Sequence, residues 1–296
     1  MNHKKDMKGW GYMMKVLEAR DYKKVIPIIR TADINTMFAI SVLEGKVDGT
    51  VFVDEEASPA AFYILHPYGM ALLYGESSRE DFYVKLAAHM LNLENARNEY
   101  EWLQVYPASL YSKIDAILGS HLIKKAPNEP YKKSFVPEED KKVLEYQRIN
   151  FAFNKEKYFA FKRDFMNKDC KIVATSEAIF NQLEGSVVPK FFWNSSSDFI
   201  NNGIGYTILS EHDIPASTAF ASFIIDNKLE IGIETCKENQ GSGFASLVCA
   251  KLIDYCIVNG YEPVWSCNSG NLGSRKLAHR LGFEESKRIP YYRLSK

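Results

Sequence analysis

The stretch from Leu229 to Ser246 constrains this chain most. Glu230-Ile231-Gly232-Ile233-Glu234-Thr235 alternates as a strand does, and from Gly243 a run of helical character extends to Val258. Between them lie Cys236 to Asn239 and then Gln240-Gly241-Ser242-Gly243-Phe244-Ala245-Ser246. Small residues at Gly241, Ser242, Gly243 and Ala245 expose the backbone N–H groups at the helix start. Those groups lack intrahelical partners and sit at the positive end of the helix dipole. A strand, a glycine-rich turn and a helix in this order therefore predict a seat for a pyrophosphate. A Cβ at position 243 would obstruct close approach of a phosphate.

The rest of the chain supplies elements on both sides of that unit. The residue pattern predicts a helix over Asn35–Glu44, with Asn35 as its cap and Gly45 as its stop. Strands follow at Thr50–Val53, Ala60–His66 and Met70–Tyr74, then a helix from Arg79 to about Arg97. Trp102–Tyr106 reads as a strand and Ala108–Leu118 as a helix. The segment from Lys124 to Lys142 is rich in Lys, Glu and Pro and reads as a linker. Beyond it come a strand at Val143–Phe153, a helix at Lys155–Asn167, and short helices capped by Ser176 and Ser195. Ile204–Leu209 and Ala219–Ile225 read as paired strands and Leu229–Thr235 as a third. The helix over Gly243–Val258 is followed by a strand at Val264–Cys267, a helix at Leu272–Leu281 and a last strand at Tyr291–Leu294. Both halves share one order of elements, so the chain reads as a duplicated unit, divided into 1–135 and 136–296.

Composition removes several classes of function. The 296 residues carry 37 Lys and Arg against 37 Asp and Glu, for no net charge, and show no basic stripe suited to nucleic acid. No apolar run approaches a membrane span, and Met1 to Lys8 lacks an apolar signal core. The five cysteines, Cys170, Cys236, Cys249, Cys256 and Cys267, are odd in number and form no Cys-x-x-Cys pair. They predict reduced thiols in a cytoplasmic protein without a metal site.

Two families place glycines where this loop has them. A Rossmann dinucleotide loop needs Gly-x-Gly-x-x-Gly directly after a strand; Gly241 and Gly243 fit, but Ser246 stands at the third position and Cys236 to Gln240 intervene. Glu262 lies near the downstream distance but precedes a strand. The loop resembles more closely the Gln/Arg-x-x-Gly-x-Gly/Ala motif of the GNAT acetyltransferase superfamily, with Gln240, Gly243 and Ala245 at its three positions. Asn271-x-x-Ser274-x-x-Leu277-Ala278-x-x-Leu281-Gly282-Phe283 resembles the strand–helix unit that follows in that superfamily. Phe192-Trp193-Asn194-Ser195, Asp198-Phe199 and Gly203-Ile204-Gly205-Tyr206 are similar to the zwittermicin A resistance-type branch.

The resemblance implies an α+β GNAT fold, a mixed and mostly antiparallel twisted sheet flanked by helices. It implies two tandem GNAT-like lobes, the N-terminal one degenerate: after Met70–Tyr74 comes Gly75-Glu76-Ser77-Ser78-Arg79-Glu80, without the loop and with carboxylates that repel phosphate. It further implies an N-acetyltransferase that moves an acetyl group directly from acetyl-CoA to the amine of a small-molecule acceptor. Gln240, Gly241, Ser242, Gly243, Phe244, Ala245 and Ser246 would hold the coenzyme A pyrophosphate. Backbone groups of Ile233 to Thr235 would pair with the pantetheine, and Asn271 and Ser274 would stand at the mouth of the gap. Glu234 is the first choice for the base and Glu230 the second, since they share one strand face. The tyrosine that serves as acid in many members is replaced by Ala278, which leaves Tyr291 or Tyr292 from the last strand. His279 reads as solvated and Cys236 as a buried thiol. Gln240, Gly241 and Ser242 are neutral where that branch carries basic residues. The rival function is an acyl-CoA-binding or interaction protein without catalysis. The N-terminal lobe is expected to form one wall of the acceptor pocket.

Overall fold

Alternating apolar residues make the strands of each half, and glycines with positive φ close its turns. The computed structural model describes residues 14–130, 141–165, 170–210 and 213–296. The first half runs β1 (Lys15–Val16), α1 (Tyr22–Ile29), α2 (Met37–Leu43), β2 (Thr50–Val53), β3 (Phe62–Leu65), β4 (Met70–Tyr74), α3 (Glu80–Met90), β5 (Glu101–Tyr106), α4 (Leu110–Leu118) and β6 (Leu122–Lys124). The second runs β7 (Val143–Phe153), α5 (Lys155–Phe165), β8 (Ile172–Ala174), α6 (Glu177–Gln182), α7 (Ser196–Asn202), β9 (Gly205–Leu209), β10 (Pro215–Ile225), β11 (Lys228–Thr235), α8 (Phe244–Val258), β12 (Glu262–Asn268), α9 (Leu272–Arg280) and β13 (Phe283–Leu294).

One sheet joins the two halves in the order β1-β2-β3-β4-β5-β13-β7-β12-β11-β10-β9-β8, with β6 beside β7. Each half contributes an antiparallel meander that ends in a parallel pair, β4 with β5 and β11 with β12. This is the mixed sheet with flanking helices expected from the sequence. The expected boundary at 135/136 falls outside the described residues. The last strand crosses between the halves: β13 pairs with β7 along Phe283–Arg293 and with β5 at Tyr291–Leu294.

The core lies in layers on both faces. On one face α1 and α2 pack between the two halves, and Phe38 and Ile40 share a cluster with Ile64 and Leu72 of the first half and Phe220 and Phe223 of the second. On the opposite face of the second half, α8 buries Leu247, Val248, Leu252 and Ile253 against Leu229, Ile231 and Trp265. Each such side chain stabilises the fold by roughly 1.5–3 kcal/mol, so α8 is held firmly and its N-terminus is fixed in place.

Several expectations need correction. The helix at Arg79 stops at Met90, because Asn92 and Asn95 take positive φ (51° and 50°). Arg97 is not helical; its guanidinium donates to the carbonyls of His89, Met90 and Ser295 and so caps the end of α3. The last strand begins at Phe283 rather than Tyr291. Its first half is polar because every second side chain there faces solvent. Helix α1, with Pro27 inside it, was not foreseen.

Candidate active site

The parallel pair β11–β12 opens into a wedge. Register pairing covers only Lys228–Glu230 against Glu262–Val264, after which both strands continue without pairing to each other. Beyond the fork β12 pairs with β7, Trp265–Asn268 against Arg148–Phe151, while β11 stays with β10. Asn227 O accepts from Glu262 N on the wedge side, and Cys236 N donates to Ala216 O on the β10 side. Alternation along the strand therefore turns the backbone groups of Ile231, Ile233 and Thr235 toward the wedge. The equivalent pair in the first half stays closed: β4 and β5 pair along Met70–Tyr74, and Gly75 N bonds Tyr106 O at 2.9 Å.

The glycine-rich loop sits at the open end of the wedge. Gly243 occupies the N-cap of the 15-residue α8 with φ +87°, and Gly241 has φ +84°. Both lie in the left-handed region that favours glycine. A Cβ at Gly241 would meet nothing within 4 Å, so the space in front of the loop is open. Ser242 Oγ bonds Asn239 O at 2.6 Å and Gln240 Nε2 reaches Thr235 O at 3.4 Å, which shape the turn from inside. Gln240, Gly241, Gly243, Phe244, Ala245 and Ser246 line one continuous cleft with Ile233, Thr235, Asn271 and Ser274. Asn271 caps α9 by accepting from Ser274 N at 3.0 Å, and Ser274 Oγ takes the Trp265 indole N–H at 3.1 Å. From α9, Arg280 Nη1 donates to Ser246 Oγ at 3.3 Å, which brings a guanidinium to the first turn of α8. That cation was not anticipated; its signal was a basic residue one turn after Lys276 on the same helix.

The cleft encloses about 2710 Å³ and both halves line it. On its floor, β11, β12 and β7 present one polar face. Register pairs place Arg148 opposite Asn268 and Asn150 opposite Ser266, with Glu230 opposite Val264 on the next strand. Glu230 is 6% exposed and its Oε1 lies 3.5 Å from Arg148 Nη2. Burial raises the Glu230 carboxyl above its ordinary value, opposed by Arg148 and by a hydrogen bond from Asn35. Asn35 enters from the first half: its N–H donates to Asn150 Oδ1 (3.0 Å), its Nδ2 to Ser266 Oγ (2.8 Å), and its Oδ1 accepts from Met37 N (3.1 Å). The N-cap position of α2 falls to Thr36 rather than Asn35; Asn35 supports the first helical N–H from one residue earlier and fastens one half to the other.

Glu234 has a different occupation. Its Oε2 accepts from the N–H groups of Ser186 and Val187, both at 2.8 Å, and lies against Gly185. The carboxylate is a tether for the 185–187 loop. Of the two tyrosines named from the last strand, Tyr291 lines the cleft with the Arg148 guanidinium 5.2 Å above its ring, and burial holds its hydroxyl above the usual phenol range. Tyr292 is fully buried in the core of the first half. Ala278 is buried, and His279 sits on the surface 3.5 Å from Glu285. Cys236 Sγ donates to Pro215 O at 3.0 Å, and burial, helped by Glu238 and Glu234, raises its thiol above the ordinary value. Among the described residues no group of His, Cys, Asp and Glu is arranged to hold a metal, and no helix is long and apolar enough to cross a membrane.

The model of the GNAT acetyltransferase family, described as GNAT acetyltransferase, matches residues 30–292. The chain belongs to the GNAT acetyltransferase family. It is thus an acyltransferase by family, and the Rossmann alternative falls away. The chain is 27% identical over 249 residues to the Bacillus subtilis (strain 168) protein named Uncharacterized N-acetyltransferase YdfB, covering 83% of this chain and 86% of that one. Its fold is similar to the GCN5-related N-acetyltransferase-like protein of Streptococcus suis, with a TM-score of 0.66 at 19% identity over 94% of this chain and 99% of that one. It is also similar to a tandem GNAT protein from the clavulanic acid biosynthesis pathway, with a TM-score of 0.54 at 10% identity over 94% and 97% of the two chains. This likeness extends over both halves, as the duplicated order of elements predicts.

Proposed function

We propose that this GNAT protein moves an acetyl group from acetyl-CoA to the amine of a small molecule, by direct transfer, and that its substrate class is that of the resistance-type branch. The observation that carries the reading is the wedge between β11 and β12, open at the glycine-rich start of α8 and closed at a buried carboxylate. The first-turn amides of Gly243, Phe244 and Ala245 suit a pyrophosphate, and the wedge-facing backbone of Ile233 and Thr235 suits the amides of a pantetheine arm. Gln240, Gly241 and Ser242 frame that seat, with Asn271 and Ser274 at its rim.

When bound, acetyl-CoA supplies the acyl carbon: a C–N bond forms to the amine, the C–S bond breaks and the thiol leaves. The residues of the chain move the protons. Glu230 Oε2 takes the ammonium proton, a role suited to a carboxyl raised by burial. Tyr291 Oη, kept protonated by burial, gives its proton to the departing sulfur and recovers one from the attacking nitrogen, which loses its second proton as the amide forms. The preference for Glu230 over Glu234 reverses the order given by the sequence alone, since Glu234 is engaged with the 185–187 loop. Glu234→Gln is therefore expected to keep turnover within about threefold and to lower thermal stability, as measured by steady-state rates and melting.

Arg280 compensates for the neutral loop. Arg280→Ala is expected to weaken acetyl-CoA about tenfold, in line with losing one charge-assisted contact, and to leave acetyl-pantetheine unchanged. Equal losses with both donors would remove Arg280 from the phosphate site. Calorimetric titration with acetyl-CoA, with NADPH as control, tests the cofactor assignment. Saturable binding of acetyl-CoA alone is expected; its absence at millimolar concentration would overturn the reading in favour of an interaction role.

A further inference from the structure

Three buried side-chain atoms on the cleft floor have no hydrogen-bond partner among the described residues: Glu230 Oε2, Arg148 Nε and Asn268 Nδ2. All three residues line the cleft and share one face of adjacent strands. A buried polar atom without a partner costs about 1–3 kcal/mol, so three of them on one face of neighbouring strands point to a ligand. We infer that the acceptor carries a neutral oxygen, a hydroxyl or a carbonyl, in addition to its amine, and that Arg148 and Asn268 bind this oxygen while Glu230 receives the amine. The inference rests on the acetyl-transfer reading above.

The donor set decides the chemistry. Asn268 Oδ1 already accepts from Gly270 N at 2.8 Å, which orients the amide and leaves Nδ2 as the outward donor. Arg148 has its Nη2 side toward Glu230 and its guanidinium face over Tyr291, which leaves Nε–H as the second donor. Arg148 and Asn268 are cross-strand partners, with Cβ atoms about 5 Å apart, so their donors can meet on one oxygen. The Arg148 charge is balanced by Glu230 beside it, at 8% side-chain exposure for each. A carboxylate on the acceptor would bring a second negative charge against Glu230 in a buried site. A hydroxyl or carbonyl brings none. The ligand must also present a donor to Glu230 Oε2, which an ammonium does.

A panel of four small amines reads this out: 2-aminoethanol, glycinamide, propylamine and glycine. Each is titrated calorimetrically into the protein loaded with coenzyme A, and each is assayed for initial rate with acetyl-CoA. The expected result is that aminoethanol or glycinamide exceeds propylamine at least 100-fold in kcat/KM, because a site built around an oxygen leaves its donors unpaired without one. Which of the two leads assigns hydroxyl or carbonyl. Asn268→Leu is expected to reduce the preference below about threefold with acetyl-CoA affinity unchanged. Asn268→Asp, which retains the acceptor for Gly270 N–H, guards against a folding defect and should lose the preference equally. Equal use of propylamine, or a lead for glycine, would overturn the proposal. A preference in binding without turnover would keep the subsite and sink the transfer reading; turnover without preference would do the reverse.

Discussion

Gly243→Glu is expected to abolish measurable acetyl-CoA binding, a loss of at least about 100-fold. Two effects act in the same direction. Gly243 holds φ +87°, where a residue with a Cβ is strained by about 1–2 kcal/mol. The introduced carboxylate also stands at the positive end of α8, where it replaces a bound phosphate with a fixed like charge. The helix itself survives, since Leu247, Val248, Leu252 and Ile253 anchor it in the core. Far-ultraviolet dichroism should therefore be retained while the calorimetric signal disappears. Gly241→Ala separates the two effects: the space there is open and only strain at φ +84° remains, so binding should fall by no more than about tenfold. Unchanged affinity in Gly243→Glu would remove the loop from the cofactor site.

Glu230→Gln is expected to lower kcat/KM by about 100- to 10,000-fold, the range for losing a general base. The acetyl-CoA dissociation constant should stay the same, since the carboxylate lies at the paired, closed end of the wedge, away from the glycine-rich loop. The pH profile adds a second readout. A base works only when deprotonated, and burial raises this carboxyl above its ordinary value. The acidic limb of kcat/KM should thus fall at a pH above that of a solvated glutamate. The neighbouring Asn35 amide favours the charged form and opposes the rise, so Asn35→Ala should move the limb to still higher pH. A wild-type limb at the ordinary glutamate position, or a Gln variant that retains full activity, would place the base elsewhere.

The geometry of the glycine-rich end of the cleft was legible in the sequence because it depends on local backbone conformation. Alternation in Glu230–Thr235, small residues in Gln240–Ala245 and the caps Ser176, Ser195 and Asn271 act within a few residues, and each cap bonds as its spacing predicts. The polar cleft floor was less legible because it is assembled by register between distant strands. Arg148 lies 82 residues from Glu230 and Asn35 lies 231 residues from Ser266, and no local pattern joins them. A signal was present, however: Arg148 and Asn150 interrupt the apolar character of Val143–Phe153 at alternate positions, which marks one polar face on a central strand. The same distance effect explains Glu234. From sequence Glu234 was the first choice for the base, and only the fold brings Ser186 and Val187 to its carboxylate. The long β13 was hidden because Glu284–Arg288 is polar, yet its backbone is required to bridge β7.

If the wedge and its floor form one transferase site, thioester cleavage and amine acetylation are a single event. The direct measurement is to incubate the protein with acetyl-CoA and 2-aminoethanol or glycinamide, and to quantify free thiol and acetylated amine together by mass spectrometry. Equal amounts of thiol and amine-acetylated product, both lost in Glu230→Gln, are the predicted result. Saturable acetyl-CoA binding without thiol release, or thiol release without acetylated amine, would contradict it.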